Sequence, residues 1–308
     1  MAAIVTTDPR VGRSRGKGIV YAFLAPAVVI YSVFFVFPSL DALYIALFDW
    51  SGFNWPNAEF VGAGNFIKAY GDKWVWLSLW NTLYIVVFGG ILNFVLVLIF
   101  SGMLTNPNIR GRSFFRVTIF LPYVINSVAL GLLWIFILNS KFGMLNMLLK
   151  AIGLENFASV WLGSRGTALA CIVFVVVWSN VGFYLILLVA GIETVPKDLY
   201  DAGQVDGASS IQGFRFITIP LIREVLVVAG ILWTIGALKE FGVAWMLTRG
   251  SPAQSTHTFT TYLMNEAMPY QAEAHMGYAS ALAIALLIGV VGVSGVLLAV
   301  RRKEAIEF

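Results

Sequence analysis

The sequence predicts an all-α fold: a polytopic membrane helix bundle of six transmembrane helices, with a polar helix-turn-helix loop on the cytoplasmic side. The 308 residues are 59% hydrophobic and 12% charged, with a mean hydropathy of +0.84, whereas soluble domains carry about 25% charged residues. Apolar runs of about 18 residues or more, long enough to cross a bilayer, recur along the chain. One long polar stretch interrupts the apolar runs of the second half.

The composition also excludes several kinds of site. The formal net charge of +4 is small and does not require a nucleic-acid partner. The single cysteine, Cys171, lies in an apolar run, so no intrachain disulfide and no thiolate metal cluster can form. His257 and His275 share a loop without ligand spacing to the cysteine or to a second nearby histidine. This pattern favours surface histidines over a metal site.

Six apolar segments follow a short basic tail, residues 1–18, and form a single membrane domain at 19–300. The first segment is too long for a signal peptide, and no small-residue cleavage site follows it. It contains Pro26 and Pro38, which membrane helices tolerate when neighbours satisfy the freed carbonyls. Residues 144–149 form a short amphipathic segment between the third and fourth spans. The predicted spans are 19–40, 79–103, 114–138, 167–191, 224–247 and 277–300.

The distribution of Lys and Arg predicts the orientation. Six spans place both termini on one side of the membrane. That side also receives the connector at 110–116 and the polar stretch at 192–223, and it is richer in Lys and Arg than the opposite side. Positive charge favours the cytoplasmic side, so the tails at 1–18 and 301–308 are expected to be cytoplasmic. The loops expected on the outside are 41–78, 139–166 and 248–275.

The polar stretch, Ile192–Arg223, is longer than a connector between two spans needs to be. Lys197–Val205 is predicted to form two helical turns, and Asp206-Gly207 a turn. Ser209 or Ser210 could cap a second short helix that runs to about Phe216. Ile217–Pro220 is expected to be extended or turning, because a residue before proline avoids the helical region. Some of its apolar side chains must pack on the bundle, and others are available to a partner: Leu199, Tyr200, Ile211, Phe214 and Phe216.

Three blocks of the polar stretch carry a family resemblance. They are Asp201-Ala202-Gly203, Asp206-Gly207-Ala208-Ser209 and Ile217-Thr218-Ile219-Pro220. In this order and spacing they resemble the EAA loop of binding-protein-dependent ABC importer permeases. Further blocks, which resemble the sugar-importer branch and extend the likeness over about residues 19–300, are Phe60-Val61-Gly62, Asn65-Phe66, Asn81-Thr82-Leu83, Phe115-Arg116, Leu121-Pro122, Trp161-Leu162, Trp178, Gly182-Phe183, Met246-Leu247-Thr248 and Gly277-Tyr278-Ala279-Ser280-Ala281.

The sequence departs from the family pattern at a few positions. Asp201 stands where Glu is usual, Gly203 where Ala is usual, Ile219 where Leu is usual, and Ser251 where Gly usually precedes Pro252. The resemblance implies that the polar stretch, Ile192–Arg223, is a coupling loop, and this name is used for it below. A coupling helix within 196–220 would sit in a groove of a cytosolic ATPase. Asp201 would be the charged contact and Gly207 the hinge between the two short helices. The implied coupling residues are Asp201, Ala202, Gly203, Asp206, Gly207, Ile217 and Pro220.

The resemblance further implies a non-catalytic permease subunit of a bacterial inner membrane, with no cofactor of its own. The segment Gly12–Gly18 contains a Gly-Lys pair but lacks the spacing and the Ser or Thr of a phosphate loop. ATP and magnesium would therefore be bound by a separate ATPase chain. The implied partners are a second, homologous permease subunit, a cytosolic ABC ATPase dimer, an extracytoplasmic solute-binding protein, the lipid membrane and a sugar or sugar-like substrate.

Polar and aromatic side chains within the predicted spans are candidates for the substrate pathway, because such groups usually face a bundle interior or cavity. A helix–helix hydrogen bond or an interfacial anchor remains the alternative for each. Lys239 and Glu240 motivate a different function, that of a self-sufficient secondary transporter or channel, and a membrane-embedded enzyme is the third possibility. The pathway candidates are Asn126, Ser127, Trp178, Asn180, Tyr184, Trp233 and Glu240.

Overall fold

The structure, a computed structural model, describes residues 12–106, 109–269 and 273–304, and helices dominate this part of the chain. The remaining residues of both tails lie outside it. Two short antiparallel strands pair Phe48 with Phe60, namely β1 (Phe48–Asp49) and β2 (Glu59–Phe60). The helices are α1 (Gly12–Tyr31), α2 (Phe37–Ile45), α3 (Gly64–Gly71), α4 (Lys73–Tyr84), α5 (Gly90–Thr105), α6 (Arg112–Val124), α7 (Ser127–Ile137), α8 (Met144–Ala151), α9 (Arg165–Ile192), α10 (Lys197–Val205), α11 (Ser210–Gly213), α12 (Ile219–Leu221), α13 (Arg223–Leu238), α14 (Gly242–Thr248), α15 (Phe259–Ala267) and α16 (Met276–Glu304).

In the described part of the chain, five helical segments are long and apolar enough to cross a membrane, and a bent pair of helices makes up to six. Turns of π-helix at Ser32–Val36 and Ile85–Gly89 join α1 to α2 and α4 to α5. The predicted all-α membrane bundle is therefore confirmed, with span boundaries shifted by several residues. The segments are Val20–Ile45, Lys73–Thr105, Arg165–Ile192, Arg223–Thr248 and Met276–Ala299, and the bent pair is Arg112–Val124 with Ser127–Ile137.

The third predicted span, 114–138, was expected to be a single helix, and this is wrong. Helices α6 and α7 meet at an angle of 99°. Ile125 has an extended backbone (φ −72°, ψ 130°), and the Asn126 side chain accepts a hydrogen bond from the backbone N–H of Val128 at 2.9 Å. An asparagine at this position satisfies one of the unpaired N–H groups of the first helical turn, so a new helix can begin there at a low cost in free energy.

Helix α9 forms the centre of the bundle, and two thirds of its most apolar window is buried. It packs against α5, α6, α13 and α14. Its glycine, Gly182, lies directly against the backbone of Ile119 and Phe120 in α6, where a methyl group would have no room. Because Gly182 has no side chain, the backbones of α6 and α9 approach each other closely at this point, as is common in membrane bundles.

The loop that follows α14 is tied to two helices by one buried amide. Asn81 of α4 donates from Nδ2 to the carbonyl oxygens of Ser255 (2.8 Å) and His257 (2.9 Å). Its Oδ1 accepts from Arg165 Nη2, at the start of α9, at 3.2 Å. Asn81 is fully buried, so the loop carbonyls have this amide in place of water. The loop therefore has a fixed position at the end of α9 that lies opposite the polar stretch.

His257 was predicted to be a surface histidine, and this is wrong: its exposed fraction is 2%. Its Nδ1 is hydrogen-bonded to Thr261 Oγ1 at 3.1 Å. Its ring packs directly on Gly250, where a Cβ would overlap the ring and where the φ of +83° also favours glycine. Burial lowers the pKa of His257 to about 4. The hydrogen bonds from Asn81 to this loop explain the burial, because they draw the backbone around His257 onto α4.

Replacing Asn81 with Leu should destabilise the protein by roughly 2–4 kcal/mol, because two loop carbonyls lose their donor and the Arg165 guanidinium loses an acceptor. Thermal unfolding of the purified protein measures this loss. Asn57→Leu, at an exposed position on the same side of the bundle, should change stability by less than about 0.5 kcal/mol. Equal unfolding temperatures for the two variants would contradict the role of Asn81.

The stability of the protein should fall as the pH decreases from 6.5 toward 4. Burial lowers the pKa of His257 from 6.5 to about 4, so below pH 6.5 the unfolded chain takes up a proton that the folded chain does not. The loss amounts to roughly 3 kcal/mol over this window and is absent above it. In His257→Gln the decline should be shallower, whereas the control His275→Gln, which removes an exposed histidine, should retain the full contribution of His257. Superimposable pH profiles for wild type and His257→Gln would exclude the effect.

Candidate functional site: the polar loop and two broken spans

The polar stretch folds as two short helices around a glycine turn, as its sequence predicts. Helix α10 covers Lys197–Val205, with Asp198 in its first turn. Gly207 has a φ of +80°, a conformation that residues with a Cβ rarely adopt. Ser209 then caps α11: its Oγ accepts from the backbone N–H of Gln212 at 3.4 Å, and the Gln212 side chain accepts from the Ser209 N–H at 2.7 Å. This reciprocal capping box fixes the angle at which the second helix begins.

The segment Ile217–Pro220 was expected to be extended or turning, and this is wrong. A π-helical turn at Phe214–Thr218 leads directly into α12, and the N–H of Ile219 donates to the carbonyl of Phe214, five residues back. Pro220 therefore lies in the first turn of a helix, where its missing N–H costs least. The wider π turn relieves the crowding that a proline ring causes at the preceding carbonyls. The coupling loop is thus helical almost up to the start of α13.

Three contacts hold the coupling loop against the bundle and against itself. The Tyr200 hydroxyl and Thr218 Oγ1 are 2.9 Å apart, and Thr218 is buried. The ring of Phe214 lies on Gly102 near the end of α5, where a Cβ would come within 3.3 Å of the ring. Ile217 approaches Gly203 in the same way, because a Cβ on this glycine would lie 3.1 Å from Ile217 Cδ1. Small residues at positions 102 and 203 therefore allow this tight packing.

The opposite side of the coupling loop is exposed. Val205, Ile211 and Phe216 have exposed fractions of 89%, 79% and 66%. The acidic side chain of Asp201, one turn before Val205 on α10, is also exposed. We call these four residues the docking face. As predicted, some apolar side chains of this stretch pack, namely Tyr200 and Phe214, whereas Ile211 and Phe216 are exposed. That a partner covers the exposed ones stays a prediction.

One ion pair connects the coupling loop to α6. Arg116 Nη2 lies 3.0 Å from Glu193 Oε1, just after the end of α9, and 3.5 Å from the carbonyl oxygen of Leu104 in α5. The carboxylate is more than half exposed, so the pair contributes at most about 1 kcal/mol to stability. Its geometric effect is to join the ends of α5, α6 and α9 at the base of the loop.

A second span is broken, and its break faces that of the α6–α7 pair. Helix α13 ends at Leu238 and α14 begins at Gly242. Glu240 lies in the gap: its Oε1 accepts from the Val243 N–H at 2.9 Å, and its carbonyl accepts from Thr258 Oγ1 at 2.9 Å. The Glu240 side chain therefore satisfies an N–H in the first turn of α14, as Asn126 does for α7, but from the residue before the N-cap, Phe241.

The two broken spans meet at their new helix starts. Gly242 lies against Ser127 Oγ and Cβ so closely that an added methyl group would overlap them. One turn further along α7, Gly131 packs on Met246 of α14 with equal closeness. The structure thus brings together three predicted pathway residues, Asn126, Ser127 and Glu240. The two glycines were missed by the sequence reasoning, since an isolated glycine in an apolar run gives no sign of its packing partner.

The other four pathway candidates lie within packed layers. The Trp233 indole donates from Nε1 to the carbonyl of Val86 at 2.9 Å, and Tyr184 packs edge-on against that indole with ring centroids 5.9 Å apart. Trp178 makes an edge contact with Trp134 at 5.4 Å. Asn180 donates to a carbonyl of its own helix, that of Val176, at 2.8 Å. These contacts give each side chain a structural role, and their role in a pathway stays a prediction.

Comparison with known proteins assigns the family. The family described as "binding-protein-dependent transport system inner membrane component" matches residues 95–304. The chain belongs to this family. It is therefore a permease, the membrane-spanning component of a binding-protein-dependent importer, and a self-sufficient transporter is not needed to explain Lys239 and Glu240.

Individual relatives extend over nearly the whole permease. A probable ABC transporter permease protein of Bacillus subtilis, YurN, is 36% identical over 89% of this chain and 93% of the relative. The diacetylchitobiose uptake system permease protein NgcF of Streptomyces coelicolor is 35% identical over 86% of this chain and 77% of the relative. A bacterial alginate ABC transporter, solved in complex with an alginate pentasaccharide-bound periplasmic protein, has the same fold, with a TM-score of 0.81, 19% identity and coverage of 94% of this chain and 96% of the other.

Gly242→Ala should separate the two broken spans of the permease. The added methyl group overlaps Ser127, and overpacking of this kind costs about 1–3 kcal/mol. Thermal unfolding and solute uptake should both decrease. Because the overlap involves the Ser127 side chain, the double variant Gly242→Ala with Ser127→Gly should recover most of the loss.

Gly236→Ala is the matched control, since Gly236 of α13 has open space at its Cβ position. This variant should be neutral or slightly stabilising, by at most about 1 kcal/mol. If Gly242→Ala and Gly236→Ala behave alike, the close packing of α7 and α14 is not what holds the break together.

Proposed function

We propose that this permease forms one half of the translocation pathway of an ATP-driven ABC importer for a sugar or sugar-like solute, which an extracytoplasmic binding protein delivers. The observation that supports the proposal is the docking face: exposed apolar side chains and an exposed acid on a loop whose sequence resembles the EAA loop of the family. Its rigid attachment through Tyr200 and Phe214 suits a part that transmits force rather than one that only connects two spans.

A separate ATPase chain would bind the docking face. Exposed apolar residues surrounding a charge are typical of a surface that a partner covers. Val205 and Phe216 would supply the apolar contact and Asp201 the charged one. The ATP, magnesium and catalytic residues would belong to that partner, so this chain would be a non-catalytic subunit. Gly207 would allow the turn between α10 and α11 to keep its shape when the ATPase moves the loop, because glycine adopts this left-handed backbone conformation without steric strain.

A second, homologous permease subunit would complete the membrane part. The most apolar window of the first span, Val20–Ile45, has no residue buried within this chain. Its later part, α2, packs on α16. A membrane helix with so little surface buried inside its own chain has large areas available for another subunit or for lipid. The charge distribution over the loops supports an inner-membrane orientation with both termini in the cytoplasm.

The solute class follows from the relatives. The Streptomyces relative is named for diacetylchitobiose uptake, and the solved neighbour carries an alginate oligosaccharide on its binding protein. Both solutes are sugars, and aromatic side chains such as Trp178 offer flat apolar surfaces on which sugar rings could pack. The facing breaks at Asn126, Ser127 and Glu240 supply hydrogen-bonding groups within two spans, where polar side chains usually serve transport.

The assembled complex, reconstituted in liposomes, should hydrolyse ATP faster when a binding protein loaded with its sugar is present, and should accumulate that sugar. Asp201→Lys should lower uptake about tenfold or more. Reversing this charge should weaken binding at the interface by about 1.4 kcal/mol or more, and 1.4 kcal/mol corresponds to a tenfold change in affinity. ATP hydrolysis should persist, so the ratio of sugar imported to ATP consumed falls. Normal coupling in this variant would refute the role of Asp201.

Asp198→Lys is the control for net charge, because Asp198 is an exposed acid of the same helix outside the family blocks. It should retain most of the uptake. Equal uncoupling by both variants would indicate that the charge of the loop, rather than the position of Asp201, matters. If no member of a panel of mono-, di- and oligosaccharides stimulates the ATPase, the solute class is wrong.

A further inference from the structure

Lys239 is the one Lys or Arg that lies well inside a spanning segment of the described chain. In these segments every other Lys or Arg is among the first five residues. Lys239 follows the 16 residues of α13, and only two residues separate it from the seven residues of α14. At 1.5 Å per residue, about 24 Å of helix lie on its coupling-loop side and about 10 Å on the other. Its backbone therefore lies within the hydrocarbon layer, which is about 30 Å thick.

The ammonium group of Lys239 has no charged partner in the described part of the chain. The residue is exposed, and no ion pair among the described residues includes it. The carboxylate of the adjacent Glu240 accepts from the Val243 N–H at 2.9 Å and is thereby engaged within the protein. A charged side chain inside a membrane segment almost always faces a water-filled cavity or another polar group, because a charge in hydrocarbon is costly. Lys239 therefore does not face lipid.

The facing break between α6 and α7 is exposed as well. Ile125, Asn126 and Ser127 are exposed, and Gly242, three residues after Lys239, lies against Ser127 Oγ and Cβ. Irregular backbone at membrane depth is tolerated only where it is buried in protein or lines a water-filled cavity. This chain does not cover the exposed residues of either break, so they line a cavity. We call Asn126, Ser127 and Lys239 the polar wall.

A fixed positive charge beside a water-filled passage repels small cations. Arginine side chains and the positive ends of half-helices exclude protons and other cations from membrane pores in this way. The repulsion is strong inside a membrane, because the surroundings of low dielectric constant screen charges poorly. A passage wide enough for a sugar is also wide enough for Na⁺ or for a chain of water molecules that conducts protons. An importer that admits a neutral solute therefore needs a barrier of this kind.

We propose that Lys239 is an electrostatic barrier that keeps protons and Na⁺ out of the solute pathway. The inference rests on the proposed function, since it requires the facing breaks to line that pathway. A solute anion is the other group that a cation could bind. Sites for anions usually bring several charged or N–H donors together, whereas Lys239 is the one cation of the polar wall. The uncharged members, Asn126 and Ser127, suit the hydroxyl groups of a neutral sugar.

Ion leak through the assembled complex, reconstituted in liposomes under an inside-negative potential, tests the barrier. Entry of radioactive Na⁺ and acidification of an entrapped dye are measured at rest and during ATP turnover. Lys239→Gln should raise both leaks about tenfold or more, whereas Lys239→Arg keeps the charge and should match the wild type. Lys141→Gln is the control for net charge, because Lys141 is exposed in the loop after α7, and should not leak. Unfolding temperatures verify that the variants are folded.

The sign of the charge is tested by chemical modification. Replacing the single cysteine, Cys171, with Ser gives a background into which Lys239→Cys is introduced. Ethyltrimethylammonium methanethiosulfonate attaches a fixed positive charge to the new thiol and should return the leak of Lys239→Cys to the wild-type value. Ethylsulfonate methanethiosulfonate attaches a negative charge and should increase the leak further. The Cys171→Ser complex, treated with both reagents, controls for cysteines of the partner chains.

Wild-type leak in Lys239→Gln, in a complex that still imports its sugar, would refute the barrier and leave the proposed function intact. Three further results would also overturn the barrier. Equal reduction of the leak by both reagents would indicate blocking by volume, and no reaction with either would place Lys239 against lipid or the second subunit. Loss of uptake without leak in Lys239→Gln would assign Lys239 to an anionic solute. Conversely, a charge-dependent leak in a complex that imports none of the sugars tested would support the barrier and contradict only the solute class.

Discussion

Within a membrane, every backbone N–H and C=O must find a partner inside the protein, and each group left unpaired costs several kcal/mol. This constraint determines where the helices of the permease can be interrupted. At both breaks a side chain replaces the missing helical partner: Asn126 in the first turn of α7, and Glu240 in the first turn of α14. The carbonyl of Glu240 is in turn satisfied by Thr258 from the adjacent loop. The breaks are thus built features that the rest of the bundle supports.

The π-helical turn in the second span also satisfies this hydrogen-bonding constraint. The π turn at Ile85–Gly89 leaves the carbonyl of Val86 accessible, and the Trp233 indole donates to it at 2.9 Å. Gly89 and Gly90 allow this approach, because a Cβ at either position would meet the indole. The bond holds α13 against the second span, next to the edge contact between Trp233 and Tyr184. Trp233 is thereby a helix–helix contact as well as a pathway candidate.

The sequence predicted the elements whose signal is local. The apolar runs predicted the spans, and the order of Asp198, Asp206-Gly207 and Ser209 predicted the two short helices and the turn of the coupling loop. The 99° bend after Val124 could not be predicted in this way, because Asn126 in an apolar run is equally compatible with a hydrogen bond between two continuous helices. The burial of His257 was missed because it depends on Asn81, which is 176 residues away in the sequence.

The coupling loop and the breaks are connected through continuous structure. The π turn at Phe214–Thr218 and the short α12 lead into α13, and Ile222 at this junction is almost fully buried. Helix α13 runs to the break at Glu240, where α14 packs on α7. A displacement of the docking face would therefore reach the facing breaks along one helix, without crossing a flexible linker. Because Gly131 and Gly242 leave no free space between α7 and α14, the two helices cannot absorb such a movement by local repacking. A rigid shift of α13 must therefore change the position of α14 against α7.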